Sequence, residues 1–312
     1  MKLKTKQSHL RPVKEKKQIN TEQLQYRLLL LPGIIMLFVF AIIPMFGIVI
    51  AFQNYVPARG FLRSEWVGLD NFKLLFMLPD SMQVLKNTLS LAVSKMVLGT
   101  VIPIVFALML NEVTQTRLKK VIQTSVYLPY FLSWVLLGSI FLSMLQLDGV
   151  VNYIIKLFGG DPVMFMASNK WAPAIMVVTD VWKNFGYGSI IYLAALSGVD
   201  MELYEAAALD GADRLRQIWH ITLPGIAPTI VLVATLNLGN VLNAGFDQIF
   251  NMYNALIYES VDIIDTFVYR IGLVDLNFSL STAVGLLKSV VSFVLIVISY
   301  WLAKKWTGYR IF

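Results

Sequence analysis

The chain has 312 residues, 57% of them apolar and 14% charged, with a formal net charge of +7, no cysteine and two histidines. A soluble domain carries roughly a quarter charged residues, so this composition excludes an exterior covered wholly by water, and lipid must supply part of it. The lack of cysteine excludes disulfides and thiolate metal sites, and His9 and His220, far apart in sequence, give metal or histidine-base chemistry little footing.

Taken in order, residues 1–27 form a polar, basic tail. A span needs about 20 mostly apolar residues, and six stretches qualify: Leu28 to Phe52, Thr88 to Leu110, Val121 to Leu145, Trp171 to Leu196, Leu223 to Gly245 and Ser279 to Ala303. The first is too long, and too far from the start, for a cleaved signal peptide, so it reads as a permanent anchor. Sixteen Lys and Arg residues fall in the segments that would share a side with the N-terminus, against seven on the opposite side. The excess places both termini in the cytoplasm. The same rule accounts for the net positive charge without nucleic acid, and it makes anionic headgroups the natural partner of Lys2 to Lys17. The expected organisation is a cytoplasmic tail, 1–27, and an all-α integral membrane domain, 28–312. No low-complexity segment or internal repeat stands out.

Polar groups inside spans need partners or a cavity. Span five carries Asn237, Asn240 and Asn243, with Asp247 just beyond and Phe246 and Phe250 nearby. At spacings of three and four these polar residues share one helical face. They suit either a sugar, which needs hydroxyl-bonding amides and a flat apolar wall, or hydrogen bonding between helices. Span four offers Asp180, Lys183, Asn184 and Tyr187, with Asp180 and Lys183 spaced for a structural ion pair. Lys95 and Lys288 are single cations in spans two and six, expected to snorkel or pair. Gly99 and Pro103 suggest close packing and slight kinking of span two.

The loop at about 197–224, between spans four and five, is the most distinctive segment. Asp200 is a good helix N-cap, and Glu202 and Glu205 sit where the macrodipole favours acids. Gly211 can close the first helix in a left-handed conformation, and a second short helix should run from about Asp213 to Ile221. Pro224 and Pro228 then fall near the start of span five. Two short helices joined at a glycine turn, with a small alanine face, suit either docking into a groove on another protein or a plain interfacial hairpin.

The run Glu205-Ala206-Ala207-x-x-Asp210-Gly211-Ala212, followed by Ile221-Thr222-Leu223-Pro224, resembles the EAA loop of ATP-binding-cassette importer permeases. Ile218 departs from the phenylalanine often found there but stays apolar. Leu31-Pro-Gly33, Trp66 to Phe72, Gly239 to Phe250, Ile264 to Arg270 and Thr282 to Ser289 are similar to the polysaccharide and oligosaccharide branch of the carbohydrate-uptake (maltose/glycerol-phosphate-type) family. The resemblance implies a type I importer permease fold of about six transmembrane helices in a bacterial inner membrane. It implies that Glu205, Ala206, Ala207, Asp210, Gly211, Ala212 and Arg214 couple the spans to an ATPase. It further implies a second homologous permease, two cytoplasmic ATPase subunits that carry the ATP and Mg²⁺, an extracytoplasmic solute-binding protein and an oligosaccharide substrate. No G-x-x-x-x-G-K-[ST] phosphate loop occurs in the chain, so no cofactor or catalytic residue is expected on it. The rivals are an ion-coupled secondary transporter of a small polar solute, which often carries inverted repeats, and a membrane-embedded enzyme, which needs a constellation of acids and bases.

Overall fold

A computed structural model describes residues 21–239 and 241–307 of the chain. The described residues are almost entirely helical, with one two-stranded ribbon. Most of the basic tail, including Lys2 to Lys17, lies outside them, as does Asn240.

The N-terminal unit ends at Val49. It holds α1 (Thr21–Leu37), a π turn (Phe38–Ile42) and the short α2 (Ile43–Met45). Its apolar side chains are exposed on all sides, Leu29 and Phe40 by more than two-thirds, as expected of a span that lipid or a partner covers. Pro44 explains the wide turn. Proline has no N–H, and its ring meets the carbonyl four residues back, so a π turn placed just before it resets the hydrogen-bond register. The same device recurs at Ile218–Thr222, two residues before Pro224.

The second unit starts at Ile50. Strands β1 (Gln53–Asn54) and β2 (Glu65–Trp66) pair antiparallel around α3 (Gly60–Arg63). Asn71, in the first turn of α4 (Asp70–Met77), donates to the carbonyls of Ala51 and Gln53. Helix α5 runs from Pro79 to Asn111, longer at both ends than its apolar run, because Pro79 sits in the first turn where its missing donor costs nothing. Pro103 lies inside α5 without ending it, packed 3.5 Å from where a side chain on Gly188 would begin.

The expected third span, Val121 to Leu145, is not one helix. An amphipathic α6 (Thr116–Tyr127) gives way to a 3-10 turn at Leu128–Phe131, and α7 (Trp134–Leu145) starts afresh on Ser133, whose side chain accepts from the Leu136 N–H. Pro129 removes the donor that would continue α6, and the serine supplies a new cap. The apolar span is displaced to 134–157 and includes α8 (Val150–Leu157).

The fourth span is α9 (Ala172–Leu196). It is not among the five helical stretches apolar enough along their length to cross a membrane, because Asp180, Lys183 and Asn184 interrupt it. Its buried residues, among them Met176, Val181, Lys183 and Tyr192, are covered by neighbouring helices. The main core joins Leu91 and Ala92 of α5 to Met176, Val177 and Val181 of α9 and to Ile249 and Met252 of α13 (Phe246–Met252). Between helices in lipid, small residues allow close approach. A side chain on Gly186 would strike the Val126 carbonyl, and one on Gly138 would lie 3.2 Å from Asn251 Cβ.

The loop helices α10 (Met201–Leu209) and α11 (Arg214–Gln217) lead into α12 (Leu223–Gly239). Beyond α13, the short α14 (Tyr258–Val261) and α15 (Ile264–Tyr269) fold back to α5, where Thr88 accepts from the Ile264 N–H at 2.9 Å. Helix α16 (Phe278–Thr307) closes the unit. Along α5 the exposed residues Leu89, Val93, Val97, Val101, Val105 and Met109 recur every four positions and draw one apolar stripe.

Candidate functional site

The loop between α9 and α12 folds as two helices about a glycine turn. Asp200 accepts from the Glu202 N–H at 3.0 Å and caps α10. At the other end the N–H groups of Asp210, Gly211 and Ala212 return to the carbonyls of Ala206, Ala208 and Ala207. Gly211 makes that return with a φ of +76°, which costs a non-glycine residue about 1–2 kcal/mol. Asp213 then caps α11 by accepting from the Arg216 N–H at 2.9 Å.

The second loop helix differs from the short element expected at Asp213 to Ile221. Through the π turn it continues directly into the fifth span, giving one helical rod from Arg214 to Gly239. Twenty-six residues at 1.5 Å each make a rod of about 39 Å. The Tyr204 hydroxyl meets the Thr222 hydroxyl at 2.9 Å and pins α10 to the base of that rod. Gln217, buried, donates to the Ala212 carbonyl at 3.2 Å and ties the turn down.

Among the described residues, none covers the outer face of this loop. Leu209 is 90% exposed, and Leu203, Leu215 and Trp219 are also exposed. Glu205, Ala206, Asp210, Gly211 and Arg214 are exposed and Ala207 and Ala212 half-buried, so the seven residues expected to couple stand together on one accessible element. Arg214 pairs loosely with Glu112 at the end of α5, at 3.7 Å.

The far end of the rod meets a polar cavity. Helix α12 stops at Gly239, and the backbone is unwound from Asn243 to Gly245 before α13 begins. Irregular backbone at such depth persists only where protein buries it or a cavity receives it. Here a cavity of about 210 Å³ is lined by Lys95, Gly99, Asp180, Asn237, Asn243 and Gly245, among others. The helix break corrects the expectation of a continuous stripe from Asn237 to Asp247. Asn237 and Asn243 do reach one cavity, but from different backbone conformations. Asp247 lies apart, exposed in the first turn of α13. Phe246 and Phe250 stack on each other at 5.2 Å, and Phe250 packs edge-on against Tyr269.

Span four also departs from expectation. Asp180 approaches Lys95 of α5 at 3.9 Å, not Lys183. Lys183 donates to the Tyr130 carbonyl at 2.7 Å and lies over the Tyr130 and Trp134 rings. Asn184 donates to the Asp180 carbonyl, within its own helix. Tyr187 stacks on Tyr130 at 4.0 Å. Asn184 and Tyr187 are therefore not among the residues lining this cavity.

Both single cations are paired. Lys288 meets Asp265 and donates to Asn243 Oδ1 at 3.0 Å. Lys95, only 9% exposed, donates to the Ala244 carbonyl at 2.7 Å and to Gln248 Oε1. Gln248, fully buried, completes the network through Met176 and Thr179 of α9, each at 2.7 Å. Further along, Arg270 pairs with buried Asp262 and lies over the Tyr258 ring. Burial, with Tyr258 alongside, pushes the Tyr253 phenol up to about 12.

Lys95, Asp180 and Gln248 form a group that the sequence did not assemble. Their sequence signal was the cost of burying each polar group alone. It could not say which of them meet, because Lys95 and Gln248 are 153 residues apart.

A bundle of apolar helices around a polar cavity, with an uncovered loop at the end of a rod from that cavity, defines a helical membrane permease. The wider similarities agree. Residues 99–308 match the family of binding-protein-dependent transport system inner membrane components, and the chain belongs to that family. It is 44% identical to protein LplB of Bacillus subtilis (strain 168), over 89% of this chain and 88% of that protein. It is equally similar to the polygalacturonan/rhamnogalacturonan transport system permease protein YteP of the same strain, over 89% and 87%. Among solved structures it resembles a chain of a bacterial ABC transporter involved in import of the acidic polysaccharide alginate, with a TM-score of 0.85 and 35% identity over 92% of this chain and 97% of that one. A second structure of such a transporter, in complex with an alginate pentasaccharide-bound periplasmic protein, matches at 0.85 and 34%. Membership in a binding-protein-dependent family replaces the alternative of an ion-coupled secondary transporter.

Proposed function

We propose that this chain is one of two permease subunits of an ATP-driven importer of an oligosaccharide or polysaccharide fragment. Its loop at 197–224 seats on a cytoplasmic ATPase. The observation that carries the reading is the continuous rod, clamped to the exposed Gly211 turn at one end and ending at the polar cavity at the other. A push on α10 therefore reaches the cavity along one unbroken run of helix. ATP and Mg²⁺ are held by two ATPase subunits, a second homologous permease completes the pathway, and an extracytoplasmic binding protein delivers the sugar. The chain is itself no enzyme. Both termini lie in the cytoplasm, as the distribution of Lys and Arg supports. Asn237 and Asn243, with Asn240 between them in sequence, offer amides to sugar hydroxyls.

The substrate class is supported by the names of the similar proteins, which refer to polygalacturonan, rhamnogalacturonan and alginate. The test is co-purification of the ATPase with the tagged chain, run beside uptake of labelled oligogalacturonides and alginate oligosaccharides. Glu205→Lys, which reverses a charge on the exposed helix, should reduce recovered ATPase and uptake together by about tenfold, the loss of roughly 1.4 kcal/mol of docking. Full recovery and full uptake in that variant would contradict the docking role.

A further inference from the structure

The cavity at the end of the rod contains a gap of defined chemistry. Lys95 has three N–H donors. Two are used, on the Ala244 carbonyl and Gln248 Oε1. Asp180 Oδ1 stands 3.9 Å from the ammonium, beyond the 3.2 Å limit of an ordinary hydrogen bond. The ammonium is 91% buried by residue area and the carboxylate about four-fifths buried, yet they do not close on each other.

The backbone leaves space beside that gap. Gly245 has a φ of +92°, and a Cβ built on it would stand 2.9 Å from Lys95 Nζ and 3.9 Å from Asp180 Oδ1. Any other residue would press its Cβ against the Lys95 ammonium and take up space beside the pair. A donor and an acceptor, held apart inside a cavity several times the ~30 Å³ of one water, match a group that accepts and donates at once.

We propose that Lys95 and Asp180 form a hydroxyl-reading subsite of the transport path, in which one sugar hydroxyl accepts from Lys95 and donates to Asp180. The inference rests on the importer reading and adds to it which chemical feature is read. The pair compensates its own charge, so it selects a neutral hydroxyl-bearing face and leaves any uronate carboxylate to point elsewhere. Asn237 and Asn243 line the same cavity and serve neighbouring hydroxyls.

The test is uptake of labelled oligogalacturonides and alginate oligosaccharides by the complete transporter reconstituted in vesicles. Two variants, Asp180→Asn and Asp180→Ala, are compared with the unaltered complex for uptake, basal ATP hydrolysis and melting temperature. Asp180→Asn keeps an acceptor oxygen and removes the charge, whereas Asp180→Ala removes both. The expected result is a similar fall in melting temperature in both, because each variant leaves buried Lys95 without its countercharge, with basal hydrolysis maintained. Uptake should fall tenfold or more in Asp180→Ala and at most a few-fold in Asp180→Asn. Equal losses in the two variants, or a loss that follows the melting temperature, would make Asp180 only a countercharge for Lys95 and overturn the subsite. Unchanged uptake in both would overturn it too, while leaving the importer reading intact. If the unaltered complex imports neither sugar, the reading and the subsite fall together.

Discussion

Asp262 is only 4% exposed, and its carboxylate is held by Arg270 on one oxygen and by the Thr266 hydroxyl on the other. Removing one partner of such a buried pair leaves an uncompensated charge, which costs about 3–5 kcal/mol. Arg270→Met is expected to fall at the lower end of that range, because Arg270 itself is 23% exposed. Its melting temperature in detergent would then drop clearly, and Asp262→Asn in the same background should restore part of the loss. Gly186→Ala is the second residue-scale prediction. The added methyl meets the backbone carbonyl of Val126, which cannot rotate away as a side chain could, so overpacking should cost about 1–3 kcal/mol, read as a lower melting temperature. Asp200, Gly211 and the exposed alanines could be assigned from sequence because capping and left-handed turns depend on a few adjacent residues. The partners of Asp180 and Lys95 could not. Local spacing favoured Lys183 for Asp180, and the tertiary fold brought Lys95 across from α5 instead.

At the scale of elements, apolar length located most of the spans but not their breaks. Pro129 and Ser133 split the expected third span, since a lost donor followed by a cap outweighs continuous hydropathy. Pro224 did not end the helix before it, because a π turn absorbed the mismatch and left the rod continuous from Arg214. That continuity is what transmits motion in this account, and the Tyr204–Thr222 hydroxyl contact is its clamp. Tyr204→Phe removes one hydrogen bond of about 0.5–1.5 kcal/mol and keeps the ring. The number of sugars imported per ATP hydrolysed is expected to fall about two- to tenfold, with ATP hydrolysis itself maintained. Unchanged stoichiometry would show that the loop moves the rod without this contact.

At the scale of the whole molecule, the described residues leave part of their own surface uncovered. The α5 stripe and the outer face of α10 and α11 are apolar and open, and lipid, a second permease and an ATPase are the occupants this account assigns to them. The absence of cysteine makes the last assignment directly measurable. In the complete transporter, Leu209→Cys gives this chain its one thiol, on a residue that is 90% exposed at the tip of the loop, where a short thiol-reactive photo-crosslinker attached to the purified chain before assembly can report its neighbour. The expected result is an adduct with the ATP-hydrolysing subunit whose yield changes when nucleotide is added. An actively importing complex that gives no such adduct, or whose thiol reacts with a membrane-impermeant reagent applied outside intact cells, would contradict it.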